Sequence, residues 1–157
     1  MRDVDYPAMA TIDLSNGLSV EGKTVLEKAI AAGKIVRTGA VASLLTQANG
    51  LVASEQKTLP ELAAEAAKQA NGEVYTKLGE SYWVNGRLDQ AIDAFQKGIA
   101  KGGLKDMADA QTTLGIIYMD AGKSADAIEA FQKAEAAKGT GANVAHAWSL
   151  FARRVVT

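Results

Sequence analysis

The sequence contains no cysteine, one histidine and two prolines among its 157 residues. The absence of cysteine excludes disulfides, thiolate metal sites and cysteine nucleophiles, and one imidazole cannot build the usual multi-histidine metal site. Abundant alanine and a scarcity of β-branched runs favour helices over strands. The sequence therefore predicts an all-α protein with no catalytic residue, no metal site and no cofactor.

Charge of one sign and long apolar runs are also missing. The 17 basic and 18 acidic residues are mixed along the chain and give a net charge of -1, which offers no electrostatic reason to expect a nucleic-acid partner. The apolar runs are far shorter than the roughly 20 residues that span a membrane. The N-terminus lacks the apolar core of a signal peptide. We expect a soluble protein without membrane insertion, and the choice between cytoplasm and periplasm stays open.

The sequence contains two copies of one pattern between Tyr75 and Lys138. Leu78-Gly79-x-x-Tyr82 recurs as Leu114-Gly115-x-x-Tyr118, and the run Ala-Ile-x-Ala-Phe-Gln-Lys at 91–97 recurs at 127–133. Each residue of the second copy lies 36 positions after its partner in the first. A fixed period of this size, built from paired helical segments, is typical of a stacked repeat protein.

Turn signals divide the remaining chain in the same way. Asn-Gly and Gly-Gly pairs end successive helical segments, because both residue types accept the left-handed conformation of a helix C-terminus. We expect about nine helices, in four hairpins plus a C-terminal capping helix, with Asp3 capping the first. The predicted organisation is a single domain over 1–157, made of a degenerate repeat at 3–36, an irregular hairpin at 38–71, clear repeats at 72–105 and 106–139, and the capping helix at 142–156.

The irregular hairpin has two possible breaks. The preferred reading is one long helix to about Gln56 and a second from Leu59 to Ala70, because Thr58 can cap the second helix and Pro60 falls in its first turn. The rival reading puts the turn at Asn49-Gly50, which lies 36 residues before Asn85-Gly86. Either break leaves one helical hairpin.

The two clear copies resemble the tetratricopeptide repeat (TPR). The first copy carries the family's pattern at Tyr75, Leu78, Gly79, Tyr82, Ala91, Phe95 and Gly98. The second carries it at Gln111, Leu114, Gly115, Tyr118, Ala127, Phe131 and Ala134. The resemblance implies a right-handed α-α superhelix, a TPR-like solenoid, and the two good repeats with degenerate flanks are closer to bacterial helical-repeat proteins than to regular co-chaperones.

The resemblance also implies a non-enzymatic scaffold that binds a protein or peptide on a concave face lined by the first helix of each pair. Six side chains on those helices are expected to point away from the hairpin core and form the binding surface: Thr76, Glu80, Trp83, Thr112, Ile116 and Met119. Trp83, Ile116 and Met119 would give it apolar contact, since aromatic and methionine side chains are favoured at such surfaces. The alternative is that a neighbouring helix or a second chain covers them.

Two other functions stay open. The repeat could be an assembly element that self-associates, which predicts a homodimer, or the C-terminal regulatory part of a longer protein, because the chain begins inside a degenerate repeat. His146 is expected to be a partly exposed residue of the last helix. Gly139-Thr140-Gly141 follows a helix and lacks the lysine of a phosphate-binding loop, so we expect no phosphate site there. The sequence does not identify a partner.

Overall fold

A computed structural model describes residues 5–137 and 139–155 of the chain. All regular structure in these ranges is α-helical, which confirms the predicted all-α class. Asp3, the predicted cap of the first helix, and the last residue of the predicted capping helix lie outside the described residues. The eight described helices are α1 (Asp5–Ser15), α2 (Ser19–Ala31), α3 (Gly39–Lys68), α4 (Glu73–Val84), α5 (Leu88–Lys101), α6 (Met107–Asp120), α7 (Ser124–Ala136) and α8 (Gly141–Val155).

Helix α3 accounts for the difference between nine predicted helices and eight observed ones. It runs unbroken through both predicted breaks, Asn49-Gly50 and Thr58, so both readings of residues 38–71 as a hairpin were wrong. The Thr58 hydroxyl donates to the Glu55 carbonyl at 2.8 Å, within the helix, and caps nothing. A proline has no N–H to donate to the carbonyl four residues before it in a helix. Because Pro60 is exposed, water can reach this carbonyl instead.

The described chain forms two compact units. The first comprises the described residues up to Pro60 together with Val84–Gly86, and the second comprises Glu61–Trp83 together with the described residues from Arg87 onward. The assignment of residues 1–157 to a single domain, and the predicted boundaries of the repeats other than the hairpin at 38–71, stay predictions.

In the first unit, α1 and α2 form a hairpin that turns at Asn16-Gly17, as predicted. Gly17 has a φ of 77°, the left-handed conformation that glycine adopts without steric cost. The two helices approach closely: a Cβ added to Gly22 would lie 3.1 Å from both the Ala10 carbonyl oxygen and Leu14 Cδ2. Glycine at this position therefore sets the spacing of the hairpin.

The core of the second unit contains two phenylalanines that are almost completely buried, Phe95 and Phe131. Each ring lies against the glycine of the Leu-Gly pair on the preceding helix. A Cβ added to Gly79 would be 2.7 Å from Phe95 Cε2, and one added to Gly115 would be 2.6 Å from Phe131 Cδ1. The glycine and the phenylalanine of each copy are therefore a steric pair, which explains why the period repeats both.

Helix α8 covers the end of this core with small residues and one tryptophan. Ala145 and Ala152 are fully buried, and the Trp148 ring stacks on Phe131 with 6.3 Å between ring centroids. Helix α8 therefore packs against α6 and α7 at this end of the core, while its assignment as a capping helix over 142–156 stays a prediction. Its exposed face carries three large apolar side chains that are each slightly more than half exposed, Val144, Leu150 and Phe151, beside the exposed polar residues Asn143, His146 and Arg153. None of the described helices is both long enough and apolar enough to cross a membrane.

Candidate functional site

A groove lies between the first helices of the two clear repeats, α4 and α6, and we call it the first-helix groove. It contains a cavity of about 200 Å³. The cavity is lined by residues of both helices, by one ring of the core and by the loop that precedes α6: Glu73, Thr76, Lys77, Glu80, Phe95, Leu104, Lys105, Asp106, Asp109 and Ala110.

Two of the six predicted binding residues, Thr76 and Glu80, line this cavity. They lie one helical turn apart on α4. The Thr76 hydroxyl donates to the Glu73 carbonyl at 2.9 Å, so its polar group is used within the helix. Glu80 is exposed, and its carboxylate forms no hydrogen bond or ion pair with any residue that the structure describes.

Trp83 is one further turn along the same face of α4 and links the two first helices. Its indole Nε1 donates to Asp120 Oδ2 of α6 at 2.7 Å. Ile116 and Met119, the predicted apolar residues of α6, are partly buried and pack against the core of the unit, as Trp83 does. The indole is therefore held in place by a hydrogen bond, and part of the predicted apolar surface is committed to packing.

Thr112 is the predicted residue that the structure places away from the groove. Its side chain is buried, and its hydroxyl lies 2.7 Å from the Ala108 carbonyl oxygen and 3.2 Å from that of Gly141. The start of α8 therefore covers Thr112. Gly141 makes this approach possible, because a Cβ there would lie 2.6 Å from the Asp109 nitrogen.

The lining of the cavity has more negative than positive charge, with four carboxylates and two lysines. Burial raises the pKa of Glu80 above its ordinary value, the nearby Asp109 carboxylate raises it further, and Lys77 partly offsets both effects. Sequence reasoning missed Asp109, although it lies 36 residues after Glu73 and so occupies the matching repeat position. It also missed Asp120, which accepts the hydrogen bond from Trp83. No local sequence pattern predicts this contact between two helices.

Asp106 has a structural role at the rim of the groove. One carboxylate oxygen accepts the Asp109 backbone N–H at 2.8 Å and so caps α6. The other accepts the Thr140 backbone N–H at 2.8 Å and the Thr140 hydroxyl at 2.7 Å. Asp106 therefore ties the start of α6 to the segment before α8, and this is the observed role of Gly139-Thr140-Gly141.

These hydrogen bonds give a prediction about acid stability. They hold the pKa of Asp106 below its ordinary value, with the Asp109 N–H contributing most. A lowered folded-state pKa stabilises the protein above the ordinary aspartate pKa of about 3.9, and this contribution disappears as pH falls through the folded-state value. Asp106→Asn should retain a cap yet lose part of the acid sensitivity, as measured by urea denaturation at pH 7 and in steps below pH 4.

The matched control is Glu61→Gln, which neutralises an exposed carboxylate on α3. We expect the Glu61→Gln profile to follow that of the wild type. An Asp106→Asn protein whose stability falls as steeply with acid as the wild type would show that the Asp106 carboxylate does not contribute.

The second helices carry a different cavity, of about 340 Å³, between α5, α6 and α7. Its lining includes Gln96 and Tyr118, which are joined by a hydrogen bond of 2.7 Å from Gln96 Nε2 to the Tyr118 hydroxyl, and also Glu129. This surface is the competing location for a ligand. His146 is largely exposed near Glu135, as predicted, and no cluster of possible metal ligands occurs among the described residues.

Comparison with known proteins supports the repeat assignment. A family model described as tetratricopeptide repeat matches residues 76–142. No curated protein matches the chain in sequence. Among solved structures, a putative kinesin light chain with nearly identical TPR-like repeats, from Podosopora anserina, is 17% identical with a TM-score of 0.53, over 96% of this chain and 84% of that chain.

A variant of the same protein gives 18% identity and a TM-score of 0.52 over the same shares of 96% and 84%. The crystal structure of MamA protein is 21% identical with a TM-score of 0.46, over 85% of this chain and 72% of that chain. Sequence identities this low show a similarity of fold alone. The family match shows tetratricopeptide repeats over residues 76–142, the part of the chain that contains the paired helices α4–α5 and α6–α7.

Proposed function

We propose that this protein is a non-enzymatic scaffold that binds a protein or peptide segment in the first-helix groove. Tetratricopeptide repeats generally mediate protein–protein interaction, so a role of this kind follows from the family. The finer assignment to the groove is supported by one observation: the first helices of both matched repeats, α4 and α6, line an open cavity in which Glu80 is exposed and unpaired among the described residues.

The surface needs revision relative to the six predicted residues. Thr76, Glu80, Trp83, Ile116 and Met119 remain in the proposed surface. Thr112 is left out, because α8 covers it. Asp109 is added, because it lines the cavity opposite α4.

The test blocks the groove without changing the core. Glu80→Trp places a large ring at an exposed position that lines the cavity, so it should exclude a bound segment sterically. We expect capture of groove-dependent partners from bacterial lysate, measured by quantitative mass spectrometry, to fall at least about tenfold, which corresponds to about 1.4 kcal/mol of binding free energy. Thermal unfolding of the variant should match that of the wild type.

The matched variant is Glu129→Trp, which makes the same change beside the cavity of the second helices. Capture that survives Glu80→Trp and falls with Glu129→Trp would move the binding site to the second helices. Amounts of captured protein that are the same for the wild type and both variants would contradict binding at either cavity.

Self-association is the second candidate, and the outer face of α8 favours it. Val144, Leu150 and Phe151 each leave about half of a large apolar side chain exposed on α8. Exposed apolar patches on soluble proteins often mark sites of association. Sedimentation velocity over a concentration series distinguishes the candidates, because a dimer that forms without ligand and is lost in Phe151→Glu would locate self-association at this face.

A further inference from the structure

The first-helix groove has more acidic groups than its own cations and hydrogen-bond donors satisfy. Two of its four carboxylates are used by the fold: Glu73 accepts the Lys105 backbone N–H at 2.6 Å, and Asp106 caps α6 and binds Thr140. The other two, Glu80 and Asp109, form no hydrogen bond or ion pair with the described residues. They come from different repeats and line the same cavity.

Glu80 and Asp109 place two like charges in the same cavity. Like charges near each other raise the free-energy cost of ionising both groups. The Asp109 carboxylate is one of the groups that raise the pKa of Glu80, as expected for two like charges that line the same cavity. Two lysines, Lys77 and Lys105, also line the cavity, but four carboxylates outnumber them, and Lys77 only partly offsets the effect of Asp109 on Glu80. A cation from outside would relieve the repulsion.

The size of the cavity restricts the form of that cation. Ligand pockets commonly measure about 300–1,000 Å³, so a cavity of about 200 Å³ suits a single side chain better than a whole small molecule. A lysine or arginine side chain has an apolar stem as well as a charged end. The stem can pack on Leu104, which lines the same cavity and is only partly buried.

An apolar surface continues from the charged part of the groove. Trp83 lies one turn beyond Glu80 on α4, and the hydrogen bond to Asp120 fixes the orientation of its indole. Ile116 is half-buried on α6, two turns beyond Asp109. A segment lying along the groove would therefore meet two carboxylates first and the hydrogen-bonded indole of Trp83 next.

We propose that the first-helix groove binds a basic peptide segment, which places a lysine or arginine side chain between Glu80 and Asp109 and an apolar side chain against Trp83 and Ile116. This inference rests on the proposed function and specifies the class of partner. It differs from recognition of an acidic chain terminus, which would need cations where this groove has carboxylates.

The test uses a random 12-residue peptide library displayed on phage and the full chain as bait. Peptides selected on the wild type should be enriched in lysine or arginine with an apolar residue nearby. Binding of purified peptides, measured by fluorescence polarisation, should weaken by roughly tenfold or more in Glu80→Gln/Asp109→Asn and should weaken as salt increases. The control, Glu129→Gln, neutralises a carboxylate beside the other cavity and should bind like the wild type.

A separate variant distinguishes this inference from the proposed function. Peptides that lose binding to Glu80→Trp occupy the groove whatever their charge. Groove-bound peptides without basic enrichment, or with unchanged binding to Glu80→Gln/Asp109→Asn, would overturn the inference and leave the scaffold function standing. A selection in which no peptide depends on the groove would overturn both.

Discussion

Replacing Phe131 with alanine should lower the free energy of unfolding by about 3–5 kcal/mol, the usual cost of emptying a buried phenylalanine site. The Phe131 side chain is fully buried. Its ring contacts the site of Gly115 on α6 and stacks on Trp148 of α8, so its removal leaves a cavity that neither neighbour can fill without moving a helix. Urea denaturation followed by circular dichroism measures the loss.

The chain offers a matched control on the adjacent helix. Phe151 is about half exposed and touches Trp148 edge-on, with 5.7 Å between ring centroids. Phe151→Ala removes the same atoms from a site that water already reaches, so it should cost about 1 kcal/mol, mainly from the aromatic contact. Equal losses in the two variants would contradict the position of Phe131 in the core.

The second large effect is expected at Gly72, immediately before α4. A Cβ at this position would overlap the Gly98 carbonyl oxygen and lie 2.6 Å from the Gly98 carbonyl carbon. The Gly72 N–H also donates to the Gly102 carbonyl at 2.8 Å, at the end of α5. Both obstacles are backbone atoms, which cannot rotate away as a side chain can. We therefore expect Gly72→Ala to destabilise the protein by about 1–3 kcal/mol or more.

Gly50→Ala is the opposite experiment with the same chemical change. Gly50 lies inside α3, and a Cβ there would meet nothing within 4 Å. Alanine should stabilise the helix by about 0.5–1 kcal/mol, because glycine has the larger conformational entropy to lose on folding. Thermal unfolding of the two variants should shift in opposite directions, and a Gly72→Ala protein as stable as the wild type would refute the close approach of α4 and α5.

The sequence predicted most accurately the features that depend on repetition. The hairpins α4–α5 and α6–α7 could be located because each steric pair, Gly79 with Phe95 and Gly115 with Phe131, occurs at the same spacing in both copies. Two independent occurrences of one packing solution make chance agreement improbable. The same period could also have identified Asp109 from Glu73.

Local signals failed where a longer-range pattern opposed them. Thr58 and Pro60 form a valid helix start, but Leu45, Ala48, Leu59 and Ala66 are all buried on α3. A break near Thr58 would have interrupted this apolar stripe, so tertiary packing outweighed the capping signal. The burial of Thr112 could not be predicted either, because it depends on how closely Gly141 lets α8 approach α6.

The position of the two tryptophans has a practical consequence for spectroscopy. Trp83 and Trp148 both belong to the second unit, and the first unit has no indole among its described residues. Intrinsic fluorescence excited at the indole band therefore reports the second unit alone, with one fluorophore beside the Asp120 carboxylate and the other stacked on Phe131. Far-ultraviolet circular dichroism records helices of both units, so a difference between the two midpoints would measure directly how independently the units melt.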